Sequence, residues 1–306
     1  MHRTLRLQVW GTIKSKSATM PLPDPAPISP VSPIIRPVVL SRIGQLTKLV
    51  SPIKDQNLSI LERSKQLAAW TAVDHHVKPE HRVIGIGSGS TVPYVVERIV
   101  QLGAEANQER VFIPTGFQSK ELIVSSGLSL GDVDQFPTID VTLDGADEVD
   151  HELNCIKGGG ACHLREKVLA EAANTFILVA DYRKNVQYLG TNYTPGVPIE
   201  VVPFAYAKVL QNLHHTLNSP KASLRMAVKK AGPVVSDNGN FIIDAPFDLE
   251  RMKTPYIIMA QIKMLTGVVE VGVFCNMAKA AYFGNEDGSV TIKWNDGRVE
   301  QVAASQ

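Results

Sequence analysis

Apolar residues follow two different periods along the chain from about residue 59 onward. Short apolar runs of strand length alternate with stretches in which apolar positions recur every three or four residues, as in an amphipathic helix. The predicted strands are 82–86, 110–114, 139–143 and 175–180. The predicted helices are 61–73, 93–102, 119–126 and 161–174. Strands that alternate with helices predict βαβ units and a parallel sheet covered on both faces.

The pattern changes after residue 198, where shorter strands and two helices follow in the order βαββαβ. The predicted elements are strand 200–202, helix 204–217, strands 224–228 and 241–244, helix 255–266 and strand 268–274. This order is typical of a ferredoxin-like split unit, and a final strand pair follows at 280–283 and 289–294. We therefore expect an α/β fold, a Rossmann-like parallel sheet domain with an inserted α+β ferredoxin-like subdomain. The predicted catalytic domain is 57–198 plus 275–306, and the subdomain is 199–274.

The first 56 residues have a different composition from the rest. Arginine and lysine precede the first acidic residue, Asp24, and seven prolines fall within 21–38. Because proline lacks an amide donor and fixes its own backbone, we predict a disordered proline-rich extension. An acid-poor, arginine-bearing start is also typical of an organelle transit peptide. A dispensable tail, or an upstream start with Met20 as a second initiator, is the alternative.

Composition narrows the function classes. The 31 basic and 30 acidic side chains nearly cancel, so we expect no nucleic-acid partner and no membrane surface as a partner. No apolar run approaches the length of a membrane span. Three cysteines without a Cys-x-x-Cys pair are too few for a disulfide framework and favour a reducing compartment. We predict a cytoplasmic protein, with organelle targeting by the N-terminal extension as the alternative.

A glycine- and serine-rich segment ends the first predicted strand and begins the next helix. It reads Ile84-Gly85-Ile86-Gly87-Ser88-Gly89-Ser90-Thr91. Glycines let the backbone approach an anion, and a helix N-terminus offers unpaired amides. The segment lacks the third glycine of a dinucleotide fingerprint and any Gly-Lys-Ser/Thr, so a small phosphate monoester fits best. A plain tight turn is the alternative.

An acidic segment, Asp144-Gly145-Ala146-Asp147, follows the predicted strand 139–143. Ligand-binding groups in parallel sheets gather at the carboxyl ends of the strands. Two carboxylates held together raise one pKa and so prepare a proton for transfer. The alternatives are a solvated acidic turn and a divalent-metal site.

Three glycines in Lys157-Gly158-Gly159-Gly160 precede the predicted helix 161–174. Each glycine costs about 1 kcal/mol relative to alanine, so three at a helix entrance indicate amides presented to an oxyanion, with Lys157 beside them. Glu166 lies close enough on the helix to share that site, or else is an ordinary surface glutamate. Lys184 either reaches the same crevice or is solvated.

Taken together, these motifs resemble those of the type A ribose-5-phosphate isomerase family, in the family's order. Further matches are residues 113–120, 198–204, 236–244 and 267–274, so that the resemblance covers about 59 to 291. The stretch Pro114-Thr115-Gly116-Phe117-Gln118-Ser119-Lys120 resembles the eukaryotic branch. The resemblance implies interconversion of D-ribose 5-phosphate and D-ribulose 5-phosphate through an enediolate, a step of the non-oxidative pentose phosphate pathway.

The resemblance also implies roles for single residues. The family's general base matches Glu166, its active-site aspartates match Asp144 and Asp147, and its active-site lysines match Lys157 and Lys184. The expected substrate-binding residues are Lys65, Ser88, Gly89, Ser90, Thr91, Gly158, Gly159, Gly160 and Lys184. No metal or organic cofactor is expected. A homodimer or homotetramer is expected, consistent with the apolar helix 255–266.

Two other functions are compatible with the same sheet and phosphate loop. One is a sugar-phosphate-responsive regulator, which would need a DNA-binding module, and no helix-turn-helix pattern with a basic face is apparent. The other is a different enzyme of the same broad fold, such as an amino-sugar-phosphate deaminase or an acyl-carrier transferase.

Overall fold

The computed structural model describes residues 58–303 of the chain. Its helices are α1 Ile60–His76, α2 Val92–Gln101, α3 Ala104–Asn107, α4 Phe117–Ser125, α5 His163–Ala172, α6 Tyr206–His215, α7 Leu249–Met252 and α8 Pro255–Lys263. Its strands are β1 Val83–Ile86, β2 Val111–Pro114, β3 Ile139–Asp144, β4 Glu148–Val149, β5 Cys155–Ile156, β6 Ala173–Asp181, β7 Val197–Val201, β8 Ser223–Leu224, β9 Phe241–Ala245, β10 Val268–Val271, β11 Val273–Phe274, β12 Ala280–Gly284, β13 Val290–Trp294 and β14 Val299–Val302. The predicted N-terminal extension lies outside the described residues.

A seven-stranded sheet in the order β14-β13-β12-β6-β3-β1-β2 forms the centre of the fold. The five strands from β12 to β2 run parallel, and β13 and β14 add antiparallel strands at one edge. Along β6, Ile177 and Val179 pack in a core with α1 and α2, whereas Phe176 and Leu178 face a separate core. Helices and loops cover both faces of the parallel part, so the predicted parallel sheet is confirmed.

Local sequence explains where α1 lies. The Ser59 hydroxyl accepts a hydrogen bond from the Glu62 amide at 3.2 Å and caps the helix. Its small apolar residues, among them Ala68, Ala69 and Ala72, are fully buried against the sheet. The helix predicted at 61–73 is therefore confirmed, and the small side chains allow it to approach the strands closely.

The region after residue 196 forms a second sheet, antiparallel, in the order β10-β7-β9-β8. The chain order is β7, α6, β8, β9, then α7 and α8, then β10. The first strand of this unit lies between the third and the fourth, which is the arrangement of a ferredoxin-like split unit. The unit has a core of its own, which includes Ile199, Val209 and Ile258. The predicted inserted α+β subdomain fold is confirmed.

Several predicted elements differ from the structure in their bounds. The strand predicted at 200–202 is β7, Val197–Val201, and two larger differences follow. The helix predicted at 161–174 ends at Ala172, since Ala173 already pairs with Ile139 of β3. The strand predicted at 224–228 is reduced to β8 and an isolated bridge between Met226 and Pro233.

The strand predicted at 268–274 is two strands in two different sheets. Its first half, β10, belongs to the subdomain sheet, and β11 pairs with β5 in a three-stranded sheet β11-β5-β4. The division falls at Gly272, whose carbonyl accepts the Lys157 amide at 2.9 Å. A Cβ at position 272 would lie 2.1 Å from the Lys157 carbonyl oxygen, so only glycine permits this approach. The short strands β4 and β5 and the exposed strand β14 were not predicted.

Among residues 58–303, no helix is long and apolar enough to cross a membrane.

Candidate active site

A cleft of about 540 Å³, partly open to solvent, lies at the carboxyl ends of the parallel strands β1, β3 and β6. Four segments and one helical side chain form its walls. They are Ser88, Gly89, Ser90, Thr91, Gly145, Ala146, Asp147, Lys157, Gly158, Gly159, Gly160, Ala180, Asp181, Lys184 and Glu166. Eleven of the thirteen residues named from the sequence line this cleft, all except Asp144 and Lys65.

Lys157 lies at the centre of the charged groups, directly after β5. Its Nζ is 2.9 Å from Asp144 Oδ2 and 3.3 Å from Glu166 Oε1, and it donates to the Gly145 carbonyl. Burial by itself would lower the pKa of Lys157, but the two carboxylates outweigh it and hold the pKa above its usual value. The side chain is therefore an ammonium at neutral pH.

Glu166 projects from the first turn of α5 into the cleft. Its Oε1 accepts a hydrogen bond from Ser88 Oγ at 2.7 Å, and Ser88 Oγ in turn accepts one from Thr115 at 3.3 Å. Burial raises the pKa of Glu166 to about 7, against the opposing effect of Lys157, and Asp144 raises it further. Oε2 is buried and has no hydrogen-bond partner among the described residues. This carboxyl group can therefore take up and release a proton near neutral pH.

The two aspartates of the acidic segment occupy different positions. Asp144 is fully buried and does not line the cleft; its Oδ1 accepts amides from Ser88 at 3.0 Å and Gly145 at 2.7 Å. Asp147 is half-buried, lines the cleft, and accepts the Gly159 amide at 2.7 Å. Asp144 therefore binds protein groups on both oxygens, whereas Asp147 is accessible to a ligand.

The segment 88–91 leads from β1 into the N-terminus of α2. Here the first helical amides have no partner within the helix, so an anion is favoured at this position. Gly89 has φ of +107° and lies on the exposed side of the turn with Ser90, and its amide donates to Gln118 at 2.8 Å. Lys184 reaches the cleft from a 3₁₀ turn, Tyr182–Lys184, after β6. These groups form a wall of the cleft that is suited to an anion, and we call it the anion-binding wall.

Lys65 is not among the residues that line the cleft. It is buried in α1, where its Nζ lies 2.7 Å from Glu62 Oε1. Glu62 also accepts the Tyr94 hydroxyl at 2.7 Å, so the carboxylate is held by two partners. Lys65 thus forms an ion pair with a carboxylate of the protein itself, and its contact with a ligand stays a prediction.

Some residues at the site were not named as candidates from the sequence. Asp181 is buried, lines the cleft and ends β6; its place at a strand's carboxyl end was the signal that could have identified it. Thr115, directly after β2, contacts Ser88, and Gln118, in the first turn of α4, contacts Gly89. Arg225, from the subdomain, binds the carbonyls of the glycine segment, and no local pattern points to it.

The groups that face the cleft define a class of protein. A carboxyl group with a pKa near 7, an ammonium and backbone amides face a cleft that also has an anion-binding wall. Such a site is suited to an enzyme that moves a proton on a small phosphorylated substrate.

Comparison with known proteins identifies the family. The family described as ribose 5-phosphate isomerase A (phosphoriboisomerase A) matches residues 111–288, more than half of the chain. The chain is 62% identical over 303 residues to a ribose-5-phosphate isomerase of Cryptococcus neoformans var. neoformans serotype D, covering 95% of this chain and 97% of the relative. It is 67% identical over 244 residues to one from Mycosarcoma maydis, covering 80% and 85%. The chain belongs to the ribose 5-phosphate isomerase A family.

Solved structures support the same assignment. A D-ribose-5-phosphate isomerase in complex with phospho-erythronic acid superimposes with a TM-score of 0.69 at 37% identity, covering 79% of this chain and 98% of that one. The ribose 5-phosphate isomerase of Plasmodium falciparum gives a TM-score of 0.67 at 32% identity, covering 80% and 100%. The fold class and the family predicted from the sequence are therefore confirmed.

Proposed function

We propose that this chain interconverts D-ribose 5-phosphate and D-ribulose 5-phosphate by proton transfer between C1 and C2. The observation that carries this proposal is Glu166, a carboxyl group with a pKa of about 7, 3.3 Å from the Lys157 ammonium in a cleft with an anion-binding wall. Membership of the family supports it. So does the relative solved with phospho-erythronic acid, a ligand that carries a phosphate and a carboxylate on one short chain.

In the forward direction, Glu166 removes the proton from C2 of the open-chain aldose, and the electron pair shifts to the carbonyl oxygen at C1. The resulting enediolate oxygen lies against Lys157 and the amides of 158–160, which stabilise its charge. A proton passes between the two oxygens, and Glu166 returns its proton to C1, giving the ketose. One carboxyl group suffices because it is regenerated with every turnover.

The proposed roles of the two aspartates follow from what each one binds. Asp147 faces the cleft, so we assign it the hydroxyl protons and the opening of the sugar ring. Asp144 accepts two amides and forms an ion pair with Lys157, and it does not line the cleft. We therefore assign it the positioning of the ammonium, without contact to substrate. The phosphate is assigned to 88–91 and Lys184, and holding it fixes the reacting carbons in place. Lys65 would join this set only by leaving Glu62.

An isomerase assay on the purified full-length chain tests the proposal. Ribose 5-phosphate should be converted to ribulose 5-phosphate, with an equal rate in excess chelator if no metal takes part. Among residues 58–303, no cluster of three or more His, Cys, Asp or Glu side chains is arranged to hold a metal ion. A folded chain that binds ribose 5-phosphate without turning it over would contradict the enzyme and favour a sugar-phosphate sensor.

The pH dependence of kcat/KM should have an acidic limb near pH 7. The reacting form of Glu166 is the carboxylate, and burial raises its pKa to about 7, so activity falls as pH drops below that value. Initial rates between pH 5 and 9 in buffers of constant ionic strength would measure the limb. Ser88→Ala removes a hydrogen bond that favours the carboxylate and should move the limb to higher pH. A profile flat down to pH 5 would contradict Glu166 as the base.

We propose a homodimer or homotetramer. Helix α8 exposes apolar side chains beside the edge strand β10; Tyr256 is 56% exposed, Ile257 40% and Met264, just after the helix, 84%. Light scattering should give two or four times the 33.4 kDa of one chain. Ile257→Glu should lower that mass, whereas Val299→Glu on the exposed strand β14 should leave it unchanged. A wild-type mass of one chain would contradict the proposal.

We also propose the division predicted from the sequence, a catalytic domain of 57–198 plus 275–306 and a subdomain of 199–274. The separate cores of the two sheets support it. A cytoplasmic location is proposed, with organelle targeting by 1–56 as the alternative. All three cysteines, Cys155, Cys162 and Cys275, are unpaired, as suits a reducing compartment. Fluorescent fusions of the full chain and of 57–306 would separate the two locations.

A further inference from the structure

Arg225 of the subdomain, one residue after β8, makes an unusual set of contacts with the catalytic glycine segment. Its Nη1 donates to the carbonyls of Gly158 at 2.8 Å and Gly159 at 3.0 Å. Its Nε donates to Asp244 Oδ2 at 2.8 Å, and its Nη2 donates to the other oxygen of the same carboxylate. The side chain is only 16% exposed. Nε and Nη2 of the guanidinium are therefore fixed by Asp244, and Nη1 binds the backbone.

The two carbonyls matter because a peptide unit is planar. A carbonyl and the N–H of the following residue point in opposite directions from one rigid plane. Holding the Gly158 carbonyl thus fixes the Gly159 amide, which donates to Asp147 at 2.7 Å. Holding the Gly159 carbonyl fixes the Gly160 amide, and Gly160 lines the cleft with the rest of that segment.

The glycine segment needs such a constraint. Gly158 has φ of +109°, Gly159 and Gly160 are exposed, and glycine loses more conformational freedom on ordering than any other residue. A charge-assisted hydrogen bond to a carbonyl also polarises the peptide unit and makes its N–H a stronger donor. The same contact therefore orients the amides and strengthens them.

We propose that Arg225, held by Asp244, is a positioning residue for the isomerase reaction. It sets the direction of the Gly159 and Gly160 amides and, through Gly159, the position of Asp147, without contacting substrate. This inference rests on the proposed function. The segment 88–91, to which we assign the phosphate, lies between β1 and α2, and the hydrogen bonds of Arg225 go to Gly158, Gly159 and Asp244 instead. Arg225 should therefore affect kcat far more than phosphate affinity.

The experiment compares Arg225→Met with a matched control. Arg98 forms the same fork on Asp74, with distances of 2.8 and 2.9 Å, but on the outer surface between α1 and α2. We expect Arg225→Met to lower kcat by about 10- to 100-fold, the size of effect produced by displaced reacting groups, with KM changed by less than about threefold. Arg98→Met should leave both constants unchanged.

Chemical rescue separates positioning from a merely structural role. Millimolar guanidinium should restore part of the kcat of Arg225→Ala, because the small cation can occupy the space between Asp244 and the two carbonyls. It should not affect Arg98→Ala. If Arg225→Met or Arg225→Ala does not fold, Arg225→Lys, which keeps the charge but not the fork, should fold and show an intermediate loss of kcat.

Three results would overturn the inference. They are a folded Arg225→Met with wild-type kcat, a loss that appears only in KM, and an absence of rescue in a folded Arg225→Ala. An inactive wild-type chain would instead contradict the proposed function. In that case, faster hydrogen exchange of the Gly159 and Gly160 amides in Arg225→Met would still support the positioning role, and unchanged exchange would contradict it.

Discussion

Replacing Glu166 by glutamine is expected to lower kcat by about 10³-fold or more, because a general base contributes roughly 10²–10⁴-fold. Glutamine keeps the size of the side chain and can still bind Ser88, but it cannot accept the C2 proton. Turnover of ribose 5-phosphate and exchange of the C2 hydrogen with solvent deuterium should fall together. The Kd for ribose 5-phosphate should stay within about threefold, because the lost interaction is one made only in the transition state.

A comparison of Tm values tests whether Glu166→Gln is folded, because the raised pKa of Glu166 predicts the direction of the change. The folded protein raises the pKa of Glu166 from 4.5 to about 7, so it binds this proton more tightly than the unfolded chain does. The stability gained from the proton is present below pH 4.5 and lost as pH rises through 7. At pH 8 the Tm of Glu166→Gln should therefore be no lower than that of the wild type. Glu171→Gln, exposed on the same helix, is the matched control and should retain full activity. More than a tenth of wild-type kcat in Glu166→Gln would exclude it as the base.

Replacing Lys157 by methionine should damage both turnover and stability. The substitution removes the ammonium that stabilises the enediolate, which should lower kcat by about 10²–10³-fold, as for the loss of an oxyanion donor. It also leaves the fully buried Asp144 without its cationic partner, and breaking a buried ion pair costs about 3–5 kcal/mol. Urea denaturation and steady-state kinetics at pH 7 would measure the two effects.

Two further variants separate these effects. Lys167 forms a partly buried ion pair with Glu270 at 2.8 Å and does not line the cleft, so Lys167→Met should lose stability with little change in kcat. Adding Asp144→Asn to Lys157→Met removes the unpaired charge and should recover part of the lost stability but none of the activity. A double variant no more stable than Lys157→Met would contradict the importance of the pair for stability.

The parts of the fold that follow from local pattern were the predictable ones. The strands of the parallel sheet are continuous apolar runs, and β3 and β6 are buried on both faces, so their positions could be identified from the sequence. The βαββαβ order of the subdomain was visible for the same reason. The strands β4 and β5 have two residues each and no period to detect, yet they carry the chain from Asp147 to Lys157.

The candidate site likewise has a part that could be predicted from the sequence and a part that could not. Its segments were identified from glycine and acidic clusters, because backbone approach to an anion and paired carboxylates require those residue types locally. The distinction between Asp144, buried behind Lys157, and Asp147, facing the cleft, depends on three-dimensional packing. Arg225 reaches Gly158 from a distant part of the chain, and one sequence contains no record of such a contact.

The division of the predicted strand 268–274 at Gly272 has a consequence for synthesis on the ribosome. Lys157 is fixed by the carbonyl of Gly272, and β5 is completed only when β11 pairs with it. The N-terminal strands of a nascent chain emerge first, so the turn at 88–91, to which we assign the phosphate, can form early. Lys157, to which we assign a catalytic role, gains its final support only after the whole subdomain has emerged. A chain that stops before residue 272 therefore should not acquire a competent catalytic centre, however much of the parallel sheet it has already formed.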